Sequence, residues 1–96
     1  MRKSETASIR DLINALMKKY GAEDKIAEMR LIRAWDELLG KSVGKYTKNL
    51  YIKDKKLFVS ITSSIVKTEV LIVRETLIKR LNEKAGKEII NQIIIR

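Results

Sequence analysis

The sequence predicts an α+β domain: two N-terminal helices, a β-hairpin, a long helix and a final strand, the three strands forming one sheet with the helices on one face. Three observations lead there. Apolar residues recur at three- and four-residue spacing over residues 8–39 and again over 64–85. Between these stretches, residues 46–62 change to period-two alternation rich in Tyr, Ile, Phe, Val and Thr. Glycines at 21, 40 and 86 mark the ends of the helical patterns. Ninety-six residues form a single domain, 1–96, large enough for two packed layers around one core. Residues 1–6 are the only stretch expected to be loose.

In the first helix, Ile9, Leu12, Ile13, Leu16, Met17 and Tyr20 fall on one face, with Ser8 as N-cap and Gly21 as the stop. The second helix is expected from about Glu23 to Leu39. Glu23 and Asp24 sit where the helix dipole favours acids, and Leu31, Trp35, Leu38 and Leu39 form a stripe that belongs in the core. Ile26 and Met29 lie on another flank.

Leu50 and Ile52 then share one face of a strand, as do Leu57, Val59 and Ile61 of the next, and Asp54-Lys55-Lys56 reads as the turn between them. The opposite face carries Asn49, Tyr51, Lys53, Phe58, Ser60 and Thr62. Ser63 or Ser64 caps a long helix running to about Ala85, in which Val66, Val70, Val73, Leu77 and Leu81 form the buried stripe. From Glu88 to Arg96 nearly every position is apolar, so this last strand is expected to be buried on both faces or paired centrally.

The stretch from Trp35 to Thr47, then Leu57-Phe58-Val59-Ser60-Ile61-Thr62-Ser63-Ser64, then Val70-Leu71 and the terminal Ile93-Ile94-Ile95-Arg96 together resemble the DciA-like family, which includes bacterial proteins that assist loading of the replicative DNA helicase. The marks are a Trp-x-x-Leu-x-Gly helix end, a Leu-x-Val-x-Ile-x-Ser-Ser strand-to-helix cap and an apolar-Arg finish. The resemblance implies a KH-like domain, binding to single-stranded or forked DNA, and contact with the replicative helicase. The Gly-x-x-Gly backbone clamp of KH domains is absent, since Gly40 and Gly44 are four apart.

Charge points the same way. Lys and Arg number 21 against 12 Asp and Glu, for a net charge of +9. Between Lys41 and Lys56, six lysines stand against one acid, Asp54, leaving +5 of that +9 in sixteen residues. Lys41, Lys45, Lys48, Lys53, Lys55 and Lys56 read as a phosphate-binding surface, with Tyr46 and Tyr51 as stacking platforms for unpaired bases. The other reading is that the lysines keep an edge strand soluble and the tyrosines are half-buried. Because all six cations are Lys, recognition should track the backbone rather than bases. A docking module for an acidic protein partner, without DNA contact, is the alternative function. Lys67 and Arg74, seven apart on the long helix, frame a partner groove or, more simply, border the buried stripe with their stems over apolar surface.

Cys and His are both absent, which removes disulfides, thiolate and imidazole catalysis, and Cys/His zinc sites. Asp36 and Glu37 are helix neighbours about 100° apart and do not converge on one reacting atom. Gly40-Lys41-Ser42 matches only the end of a Walker A motif. The sequence therefore predicts no enzyme, no cofactor and no metal. Neither a membrane span nor a secretory signal is expected, which favours the cytoplasm.

Overall fold

The computed structural model describes residues 3–96, the side chains of residues 3–7, 17 and 20 excepted. Its elements are α1 (Lys3–Tyr20), α2 (Ala22–Gly44), β1 (Thr47–Lys53), β2 (Lys56–Ile61), α3 (Ser64–Ile72), α4 (Arg74–Ala85) and β3 (Gln92–Ile95). The sheet order is β1-β2-β3, with β1 antiparallel and β3 parallel to β2. This is the α+β order the sequence predicts, with one more helix.

Leu57, Val59, Ile61 and Ile93 point to the same side of the sheet and are buried there against Leu31 and Trp35 of α2, Val70 of α3, and Leu77 and Leu81 of α4. Leu38 and Leu39 are half-buried at the rim of that core. The indole of the fully buried Trp35 donates to Thr47 Oγ1 at 3.2 Å, and the Thr47 hydroxyl donates to the Val43 carbonyl at 2.9 Å. The buried N–H thereby avoids the cost of a lost partner.

Several expectations change. The helix of α1 starts at Lys3, so Ser8 lies inside it and caps nothing. Residues 1 and 2 of the segment expected to be loose lie outside the described residues, as do the side chains of Met17 and Tyr20. The face of α1 bearing Ile9 and Leu12 is about 60% exposed, because α1 packs chiefly against α2 and nothing among the described residues covers the stripe.

The long helix is two helices. Val73 leaves helical geometry (φ −98°, ψ 11°) and is exposed rather than buried. Consecutive β-branched residues, Ile72 and Val73, are poor helix formers. The bend lets Val70 of α3 and Leu77 of α4 reach the same core. Ser63 caps α3 as expected, its Oγ accepting from the Val66 N–H at 3.3 Å.

The last strand is neither central nor buried on both faces. It spans four residues at the sheet edge opposite β1. Ile89 and Ile90 are buried in the loop before it, where the Asn82 side chain accepts from both of their N–H groups and donates to the Ile90 carbonyl, at 2.9–3.1 Å. A surface link joins the first turn of α2 to the loop after α4: Lys87 donates to the Asp24 carboxylate, and this hydrogen bond holds the lysine pKa above its ordinary value.

Candidate nucleic-acid interface

The basic surface is built on the hairpin. Asp54 (φ 52°) and Lys55 (φ 61°) are both left-handed, the signature of a two-residue type I′ turn whose twist matches the flanking strands. Lys56 is therefore the first residue of β2 and stands opposite Lys53. The tip is tied to the third strand by the Asn91 N–H, which donates to the Lys55 carbonyl at 2.8 Å.

Beyond the Tyr51–Phe58 pair the register slips by one residue. Asn49, at φ 54°, and Leu50 together oppose Val59, a β-bulge. Asn is among the few side chains that tolerate this conformation. Since strand residues alternate between faces, the extra residue reverses the assignment of everything before it. Thr47 turns inward to meet Trp35, and Lys48, paired with Ser60, turns outward. Simple alternation assigns the outward position to Asn49 instead, and the bulge corrects this.

The outer face of the sheet, away from the helices, thus holds three rows. Tyr51, Phe58 and Ile94 form the middle one, Lys53, Lys56 and Gln92 lie on the turn side, and Lys48 and Ser60 lie on the other, next to Arg96. The Tyr51 and Phe58 rings are stacked, with centroids 5.0 Å apart and planes 9° from parallel. The Arg96 guanidinium carbon lies 5.3 Å from the Phe58 centroid, within cation–π range. None of the six lysines forms an ion pair among the described residues. Like charges directly opposite on a strand pair are unfavourable, so Lys53 against Lys56 works against the hairpin and favours an anion on this face.

The other candidate residues are dispersed. Gly40 interrupts α2 with φ 81° and ψ 172°, after which one helical turn carries Lys41 toward Lys45 and the hairpin. Lys45 Nζ sits 5.4 Å from the Tyr46 centroid, and Tyr46 is half-buried against the core, apart from the Tyr51–Phe58 stack. Lys55 is exposed at the turn tip. Lys67 is half-buried on α3 while Arg74 opens α4 beyond the bend, so no continuous helix flank joins them. Asp36 and Glu37 are both exposed.

The ring and the guanidinium beside Tyr51, those of Phe58 and Arg96, are not among the sequence candidates. Phe58 carried a usable signal, the same outward parity as Tyr51. Arg96 carried none, because only the long-range parallel pairing of β3 with β2 brings it beside Phe58.

Comparison of the sequence with known proteins finds a family. The family model described as "Dna[CI] antecedent, DciA" matches residues 8–95. A UPF0232 protein of Corynebacterium glutamicum (strain R) is 28% identical over 88 residues, which are 92% of this chain and 49% of the relative, so the chain spans about half the length of that curated protein. The matched span takes in the whole sheet, the bulge and the basic hairpin, and the chain belongs to the DciA family.

Proposed function

We propose that this chain is a nucleic-acid-binding accessory of DNA replication that holds single-stranded or forked DNA by its phosphates and acts with the replicative helicase. Membership of the DciA family implies a role in DNA replication and helicase loading. The observation that carries the DNA-binding part is the outer sheet face, where Lys48, Lys53 and Lys56 stand without a compensating acid between them. Lys55 at the tip and Lys41 and Lys45 on the approach extend the same charge. Lysine ammoniums follow phosphates as point charges and do not read base edges by bidentate contact, so binding is sequence-nonspecific. Such a role places the chain in the cytoplasm; no helix among the described residues is long and apolar enough to cross a membrane.

The test is fluorescence anisotropy of labelled single-stranded and forked oligonucleotides with the wild type and with Lys53/Lys55/Lys56→Glu. The variant should bind at least tenfold more weakly at low salt. Equal binding would remove the hairpin from the interface. Helicase capture by wild type that survives nuclease treatment, with no shift of free DNA, would leave a protein-docking surface in its place.

A further inference from the structure

We infer that the Tyr51–Phe58–Arg96 cluster is a seat on which unpaired nucleobases stack. The inference rests on the proposed phosphate binding and adds a second kind of contact to it. Aromatic rings on the uncovered face of a sheet expose apolar area to water, and Tyr51 does so at 46% exposure. One face of its ring backs onto Phe58, at 5.0 Å and 9°. Because β1 is an edge strand, no neighbouring strand covers the other face. A flat heterocycle laid on that face continues a stack that Phe58 already supports.

Charge complementarity identifies the occupant. On one strand, residues sharing a face are about 7 Å apart, so cationic rows flank the aromatic row on both sides at roughly that distance. Lys53 and Lys56 form one row, and Lys48 with Arg96 the other. In a single strand each nucleoside is joined to a phosphate on either side, so a base seated on the aromatic row leaves its neighbouring phosphates within reach of the long cationic side chains of these rows. Arg96 serves both needs, lying 5.3 Å from the Phe58 centroid with a charge that suits a phosphate or a base face. A shallow hollow lined by Asn49, Tyr51, Phe58, Ser60 and Arg96 adds an amide and a hydroxyl at the same place. Bases inside a duplex are already stacked and cannot reach the ring, so duplex DNA engages the lysines alone.

The experiment compares the affinity of the full chain for two oligonucleotides: a thymidine single strand and an abasic strand of the same length and charge. Base–aromatic stacking should make wild type bind the thymidine strand about five- to a hundredfold more tightly than the abasic one. Tyr51→Ala should abolish that difference and leave abasic affinity unchanged, while Tyr51→Trp should keep it; far-ultraviolet circular dichroism checks that each variant is folded. Equal wild-type affinity for thymidine and abasic strands would overturn the stacking seat and leave phosphate binding standing. An equal loss on both strands in Tyr51→Ala would also overturn it. Failure of wild type to bind either strand would overturn both readings.

Discussion

Lys53 and Lys56 face each other as the closing pair of the type I′ hairpin, two ammonium groups opposed across the strands with no acid among the described residues of the face to offset them. An arrangement that weakens the fold locally is one that ligand binding can justify. Opposite charges at facing positions stabilise a strand pair by roughly 0.2–1 kcal/mol, whereas like charges destabilise it. Lys53→Glu should therefore raise stability in urea by up to about 1 kcal/mol while weakening oligonucleotide binding. If stability and affinity both fall, the opposed lysines are not in conflict in the free protein.

The bulge at Asn49 is also open to test through Thr47. By turning Thr47 inward it supplies the hydroxyl that accepts from the Trp35 indole. Thr47→Val keeps the shape and removes the acceptor, leaving a buried N–H unpaired. The cost should be about 1–3 kcal/mol, read as a lower denaturation midpoint with an unchanged slope. A change below a few tenths would mean that the indole is satisfied in another way.

Gly40 breaks α2 just before the short helical turn that begins at Lys41. At φ 81° and ψ 172° it occupies a region essentially reserved for glycine, yet among the described residues nothing beyond its own chain neighbours and helix backbone lies within 4 Å of where a Cβ would stand. Gly40→Ala should thus cost about 1–3 kcal/mol through backbone strain alone. Ser42→Ala, two residues on and exposed, should cost less than about 0.5 kcal/mol, and the two midpoints compared in one urea series check both values.

Much of this fold is legible in the sequence because its signals are local. The stripe of α2 and the alternation of the hairpin follow from spacing, and the cap at Ser63 from the residue type. What is not legible depends on partners far along the chain. The apolar spacing of residues 66–81 is the same for a straight helix and for one bent at Val73, and only the position of the sheet decides between them. The isoleucines of 89–95 read as a two-sided strand, but Asn82 holds the first two in a loop and leaves four residues to pair at an edge. In the candidate site, the lysine density was plain, whereas its distribution over faces was not, since one left-handed Asn moves Lys48 from one side of the sheet to the other. Tyr46 and Tyr51 look equivalent in sequence, and burial separates them.

The central claim, that this hairpin face holds DNA by its phosphates, is tested most directly by the salt dependence of single-strand binding. Each neutralised phosphate of a single strand contributes about −0.7 to the slope of log affinity against log salt. With three to six lysines engaged, wild type should give a slope of about −2 to −4, and Lys48/Lys53/Lys56→Ala should be shallower by about 2. A wild-type slope near zero, or an unchanged slope in the triple variant, would contradict the account.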